Sequence, residues 1–336
     1  MKIKIAIDGM GGDKAPYEII KGVKTFAGKE KNSEIYLLGP SKEVSPLINK
    51  HPTENISFID CPKYIPMDYK INLNLFREEN TTMYRILKMV KEEKADIAYS
   101  AGNTATFVSL AVHLLGMIEG IERPAVCVNL PNQNGGITLF VDVGANITPK
   151  IIHLVQNAEM GSLYAREVFG ISLPKTGLLN IGEEEAKGDE LRQKTYQALK
   201  ASEHINFIGN IEGHELYTGK ADVVVTDGFS GNLILKVSEG ITKSFKNMLL
   251  GEFKSSFTGK IGLLLTKNIL KDFSRKSDYA EYGGGLLLGV NGNVIISHGR
   301  SSSKAVVSGL NLGQKIVAQS FLKKLKENTK KWPQKF

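Results

Sequence analysis

The stretch 221–240, ADVVVTDGFSGNLILKVSEG, constrains the fold more than any other part of the chain. Val223, Val224 and Val225 form a β-branched apolar run, the pattern of a strand buried on both faces in a parallel sheet. Asp227-Gly228 and Ser230-Gly231 break that run, and apolar residues at helical spacing follow. A strand, a glycine turn and a helix in succession aim backbone N–H groups beyond the strand's carboxyl end, where the helix dipole favours an anion. Asn232 stands at the start of that helix, with a side-chain amide able to donate to a bound oxygen. An ordinary strand-to-helix connection fits the same residues. The weight of the reading comes from similar connections elsewhere.

Strand and helix patterns alternate along the chain, which predicts an α/β fold with a doubly wound, largely parallel sheet and helices on both faces. KIKIAI opens it as a strand, and IYLL, ISFI, ADIAYS, AVCVNL, GITLFVD, TGLLNI and INFIGN continue the series. Pro62 and Pro66 break up the start of an irregular stretch over 61–80. LLLGVNGNVIIS, at 286–297, predicts a β-hairpin closed by Asn291-Gly292. Residues 1–328 read as one α/β unit, with a basic amphipathic segment at 243–276 and a basic, frayed tail at 329–336.

Bulk properties narrow the class. Apolar residues make up 42% and charged residues 23% of the 336, as in soluble globular proteins. No apolar run approaches the ~20 residues needed to cross a membrane, and the N-terminus reads as a strand rather than a signal peptide. Cys61 and Cys127 fit no metal spacing and suit a reducing cytoplasm. A net charge of +8 favours an acidic partner: nucleic acid, anionic lipid or an acidic protein. Neither zinc spacing nor an RNA-binding aromatic signature is present, so no nucleic-acid partner is expected.

Five glycine turns follow strands: Gly9–Gly12, Gly102–Thr104, Gly144–Asn146, Gly182–Gly188 and Gly228–Asn232. In a doubly wound sheet such turns gather along one edge, where ligands bind. A phosphate-bearing substrate is the leading expectation. Gly11, Gly12, Gly102, Asn103, Thr104, Asn146, Gly228, Ser230 and Gly231 are its candidate contacts by their strand-end positions, with His298 the one histidine in a glycine-flanked turn.

The first turn departs from a dinucleotide fingerprint, because Lys14 stands at the third glycine and no acidic residue ends the next strand. Asp8 and Asp13 read as turn and cap residues. Lys187 follows a strand end, where an ammonium can hold phosphate or steady an oxyanion. A solvated lysine beside Glu183, Glu184 and Glu185 is the competing reading. His298 and Arg300 have structural alternatives too, since N-capping explains Ser301–Ser303 equally well.

The motifs DGMGGDKAP, SAGNTA, ERPA, VDVGAN, GLLNIGEEEAKG, NFIGNIEG, ADVVVTDGFSGN, DYAEYGGGLLLGVNG and SHGRSS occur in one order over about residues 3–325. As a set they resemble the bacterial phosphate acyltransferase family of phospholipid synthesis. Gly9 stands where that family usually has alanine, and Arg300 interrupts its HGSS. The resemblance implies an isocitrate/isopropylmalate dehydrogenase-like fold and a homodimer. It also implies a reaction: acyl-[acyl carrier protein] plus inorganic phosphate gives acyl phosphate and free carrier, without metal or other cofactor. Lys187 and Asn232 match the family's functional pair.

Further partners follow from the resemblance and the charge: an anionic membrane surface, reached from the cytoplasm, and a membrane glycerol-3-phosphate acyltransferase that takes the product. In 243–276, Lys243, Lys246, Lys254, Lys260, Lys267, Lys271, Arg275 and Lys276 outnumber Glu252 and Asp272 among apolar residues, the composition of an interfacial helix. Core or dimer-interface packing is the plainer account of that apolar stripe. The alternative activities are a phosphotransacetylase acting on acyl-CoA and a non-catalytic membrane scaffold.

Overall fold

A computed structural model describes residues 2–49, 53–277 and 284–332, the side chains of 272–277 excepted. The 278–283 part of the DYAEYGG motif, the 333–336 end of the tail, and the side chains of Asp272, Arg275 and Lys276 lie outside the described residues.

Among the described residues eleven strands form one sheet: β1 (Ile3–Asp8), β2 (Ser33–Gly39), β3 (Ile56–Asp60), β4 (Ile97–Ser100), β5 (Ala125–Pro131), β6 (Ile137–Val141), β7 (Lys175–Leu179), β8 (Asn206–Ile211), β9 (Val223–Val225), β10 (Gly285–Leu288) and β11 (Asn293–Ile296). Their order across the sheet is β3-β2-β1-β4-β11-β10-β5-β6-β9-β7-β8. Between them run the helices α1 (Tyr17–Lys29), α2 (Ser41–Asn49), α3 (Thr82–Lys91), α4 (Thr104–Leu115), α5 (Ile151–Phe169), α6 (Glu190–Lys200), α7 (Gly228–Ser255), α8 (Phe257–Ser277), α9 (Ser303–Ala318) and α10 (Phe321–Thr329).

The sheet is largely parallel, but its two blocks run in opposite directions. β3, β2, β1, β4 and β11 are mutually parallel. β6, β9, β7 and β8 form a second parallel block. The antiparallel pairs β11–β10, β10–β5 and β5–β6 join them. Strand ends of the two blocks therefore point to opposite rims. The expectation that all five glycine turns share one edge is corrected: Gly9–Gly12 and Gly102–Thr104 lie on one rim, and the other three follow strands of the opposed block.

Strand residues alternate between two apolar clusters, one on each face. Ile5, Ile7, Tyr99, Cys127, Val141 and Val223 pack with α1, α5, α9 and α10. Ala6, Ala98, Val126, Phe140 and Val224 pack with α3 and α4. Helices α1 and α9 approach closely at Gly22, where a Cβ would stand 2.5 Å from Val306. The β10–β11 hairpin is present with a four-residue connection. Its positive φ lies at Gly289 (90°) rather than at Asn291-Gly292, because Asn291 is held to Gly116 and Met117. The stretch 61–80 contains a 3₁₀ helix, Leu73–Arg77, capped by Asn72. Trp332 is only 8% exposed and joins the core, so the first half of the expected tail is packed.

Candidate active site

A cavity of ≈ 500 Å³ lies against the central strands. Val126, Val128 and Leu130 of β5 form its apolar floor, with Val143 and Ile296 at its sides and Leu235 of α7 opposite. The polar wall comes from the α4 N-terminus, from Asn232, Lys236 and Glu239 of α7, and from the loop between β11 and α9. Helix α7 starts at one rim and its first turns reach the other. That is how one cavity gathers residues from both blocks.

The turn into α4 is held by side-chain contacts that leave two backbone amides open. Ser100 Oγ accepts the Gly102 amide (3.1 Å) and donates to Asp8 Oδ2 (2.7 Å). Asn103 caps the helix through Oδ1 to the Thr106 amide (3.0 Å), and its Nδ2 donates to the Met67 carbonyl (2.8 Å). Among the described residues the Thr104 and Ala105 amides have no protein acceptor, and both residues line the cavity. They lie at the positive end of the α4 dipole. Burial raises the Asp8 pKa, against the opposing pull of its hydrogen bonds.

Gly11 and Gly12 support this turn rather than lining the cavity. A Cβ on Gly11 would stand 2.8 Å from Asp8 Oδ2, the Gly102 nitrogen and Ser100 Oγ. Gly12 has φ 115°, and the next amide, Asp13, donates to the Gly299 carbonyl at 2.7 Å. Asp13, read from sequence as a turn or cap residue, does line the cavity.

The opposite rim corrects two expectations. Asn146 is a strut, not a ligand contact: its Nδ2 donates to the Pro124 carbonyl and to Asp142 Oδ2, both at 2.7 Å. The Asp142 carboxylate also accepts the amides of Gly144, Ala145 and Asn146, at a residue with φ 69°. Three of the amides that open α7 are likewise claimed within the protein. Gly228 donates to the Asn146 carbonyl (2.7 Å), Ser230 to Asp227 Oδ1 (2.8 Å) and Gly231 to the Asp227 carbonyl (2.9 Å). Gly228 and Gly231 allow close packing, since a Cβ on Gly231 would come within 2.3 Å of the Asp142 carbonyl. Ser230 Oγ lies 3.5 Å from Arg192, whose guanidinium also binds Asp227 at 2.5 Å.

Lys187 and Asn232 are not brought into one wall. Asn232 lines the cavity, while Lys187 does not. The Lys187 side chain is half exposed, with Nζ 3.8 Å from Glu184 Oε2. Its turn is tied down through the carbonyl, which accepts from Asn180 Nδ2 at 3.0 Å.

His298 faces α7. Its Nε2 lies 2.7 Å from Lys236 Nζ, and Nδ1 accepts the Arg300 amide at 3.1 Å. Burial, and then the Lys236 charge, push the His298 pKa down. Lys236 and Glu239 were missed from sequence, although their spacing from Asn232 marks one helical face. Gly102, Asn103, Thr104, Asn232 and His298 are the predicted site residues that do meet at the cavity, and Arg300 lines it too. Both cysteines are buried with raised pKa values, which removes them as thiolate nucleophiles. Among the described residues no group of three His, Cys, Asp or Glu side chains is arranged to hold a metal ion.

Residues 3–324 match the model of the family described as "Fatty acid synthesis protein". The chain is 41% identical over 331 residues to the phosphate acyltransferase of Dictyoglomus thermophilum, covering 98% of each. In fold it is similar to a phosphotransacetylase from Streptococcus pyogenes, with a TM-score of 0.61 at 18% identity over 94% of both chains. It is also similar to 4-hydroxythreonine-4-phosphate dehydrogenase from Klebsiella pneumoniae, with a TM-score of 0.55 at 14% identity over 94% of this chain and 98% of the other.

Proposed function

The chain belongs to the fatty acid synthesis protein family and is a phosphate acyltransferase. From that premise we propose that it moves the acyl group of acyl-[acyl carrier protein] directly onto inorganic phosphate, yielding acyl phosphate for phospholipid synthesis. The observation that carries this reading is the junction of two environments in one cavity. An apolar floor suits an acyl chain. The unclaimed Thr104 and Ala105 amides beside it suit a phosphate.

Phosphate is already anionic at neutral pH and needs no activating nucleophile. The protein's task is to hold it against the thioester carbonyl. Asn232 then donates to the tetrahedral oxyanion. Lys187, outside the wall on a flexible stem, offsets substrate charge at the approach to the site.

The partners belong to the same proposal. The +8 net charge suits an acidic carrier protein and an anionic bilayer. Phe229, Leu233, Val237 and Ile241 form an exposed apolar stripe along α7, suited to a second copy of the chain. The end of α7 and the helix α8, with Met248, Phe257, Leu264 and Leu265 exposed among lysines, suit the cytoplasmic membrane surface, where a glycerol-3-phosphate acyltransferase would take up the product. No helix among the described residues is long and apolar enough to cross a membrane.

The test is incubation with palmitoyl carrier protein, with and without phosphate. Free carrier and a hydroxylamine-reactive acyl phosphate are expected only with phosphate. Equal release in its absence would mean a thioesterase, and equal activity with acetyl-CoA would mean a phosphotransacetylase. Absence of turnover under every condition would leave the scaffold reading.

A further inference from the structure

Asn232 lines the cavity, and among the described residues its side-chain amide has no hydrogen-bond partner. The place of that amide therefore follows from how the start of α7 is seated. Two sets of contacts seat it. Gly228 and Gly231 share one face of the helix, where an added Cβ would stand 2.8 Å from the Asn146 backbone and 2.3 Å from the Asp142 carbonyl. The second set is electrostatic. Asp227 and Asp189 cap α7 and α6 in the same way, each accepting an amide of its own first turn on Oδ1: Ser230 at 2.8 Å and Arg192 at 2.9 Å. Each then turns Oδ2 to the guanidinium of Arg192. Nη2 donates to Asp227 at 2.5 Å, and Nη1 donates to Asp189 at 2.8 Å. One planar fork thus joins two helix starts.

The Arg192 and Asp227 side chains are 19% and 9% exposed, so solvent and salt screen their attraction little. Without the guanidinium, the two capping carboxylates would face each other uncompensated. The α6 end of this clamp has anchors of its own. Asn180 Nδ2 holds the Lys187 carbonyl at 3.0 Å, and Gln193 Nε2 holds the Ala186 carbonyl at 2.8 Å. Helix α6 is then the fixed side, and the start of α7 is the part being placed. The glycine face sets how deeply α7 sits; the fork on Asp227 sets its rotation. We propose that Arg192 is a positioning residue for the acyl transfer proposed above, a reading on which this inference rests. It holds α7 in the rotation that aims the Asn232 amide at the tetrahedral oxyanion, and touches no substrate itself. It also ties the turn of Lys187 to the helix of Asn232, two residues that the cavity wall does not bring together.

The test is a double-mutant cycle between Arg192→Gln and Asn232→Ala, assayed with palmitoyl carrier protein over a phosphate series. Displacing a reacting group by about 1 Å costs up to ~10²-fold, so Arg192→Gln should lower kcat by ~10–10²-fold and leave the KM for phosphate within ~2-fold. In the Asn232→Ala background the same change should slow kcat by less than ~2-fold more, because the amide it aims is gone. Arg192→Lys keeps the charge without the fork and should fall between wild type and Arg192→Gln. A role confined to stability would slow both backgrounds by one factor. Such additivity in folded variants, or wild-type kcat for Arg192→Gln, would overturn the positioning role. If Arg192→Gln does not fold, the cycle is run with Arg192→Lys, where the same two outcomes decide. A wild-type protein inert with palmitoyl carrier protein and phosphate would instead overturn the acyl-transfer reading, so the two failures are separable.

Discussion

At Asn232 the side-chain amide lines the cavity, whereas Lys187 stands outside it in solvent. Their loss should therefore read out differently. Asn232→Ala removes an oxyanion donor, a change that typically costs ~10²–10³ in rate, and should lower kcat with little effect on the KM for phosphate. Lys187→Ala should raise that KM, because a ground-state charge contact is lost; steady-state kinetics over a phosphate series separates the two. A third residue bears on pH. Glu159 of α5 is 2% exposed, and neither carboxylate oxygen has a hydrogen-bond partner among the described residues. Burial raises its pKa from 4.5 to about 8. The folded chain therefore takes up a proton that the unfolded chain releases, and this contribution to stability is fully present below pH 4.5 and lost as pH rises to about 8. Glu159→Gln resembles the protonated form. It should exceed wild type in stability above pH 8 by on the order of a few kcal/mol, with the advantage fading toward pH 5, as read from urea midpoints.

Two helices decide the chemistry at the scale of elements. The first residue of α4, Thr104, follows the cap Asn103, whose ψ of 111° is extended enough to precede a proline. Proline is tolerated at that first helical position, so Thr104→Pro deletes one amide donor while leaving the helix intact. The expected outcome is a raised KM for phosphate with an unchanged Tm; an unchanged KM would place the anion elsewhere. The second helix is α8. Leu264 and Leu265 are 73% and 78% exposed, so they do not belong to this chain's own core. Replacing Leu263, Leu264 and Leu265 with serine should weaken co-sedimentation with anionic vesicles and leave dimerisation and solution turnover nearly unchanged. A monomeric triple variant would assign those leucines to the subunit interface instead. Added salt should also weaken vesicle binding of the wild type, each lysine near the surface contributing ~1 kcal/mol.

On the scale of the whole molecule, the chain closes on itself through its C-terminus. Helix α10 packs on α5 and α9, and Trp332 beyond it joins the cluster that spans one face of the sheet. Trp332→Ala should cost roughly 3–5 kcal/mol, measurable as a fall in the denaturation midpoint, despite lying far from the cavity. Most elements are legible in the sequence. The valine run of β9, the opening strand β1 and the β10–β11 hairpin all lie where local pattern predicts them. Part of the site is legible as well: Gly102, Asn103, Thr104, Asn232 and His298 reach the cavity. Lys236 and Glu239 were overlooked because a charged pair on a helix ordinarily marks a solvated face.

What the sequence determined by itself is local: which segments are strands, where glycine breaks them, and which residues cap the helices that follow. Ser302 caps α9 as the serines after Arg300 predict, because such a contact closes over three residues. The ordered motifs also carry the family, since they need no knowledge of contacts. Strand direction is different. Whether β5 runs with or against β10 depends on pairing between residues more than 150 positions apart, such as Cys127 and Leu286. That choice reverses one block against the other and separates turns that look alike in sequence. Tertiary structure alone turned Asn146 inward onto Asp142 and left Lys187 in solvent. It also brought Lys236 against His298 across 62 positions of chain, because side-chain partners are set by packing and not by chain order.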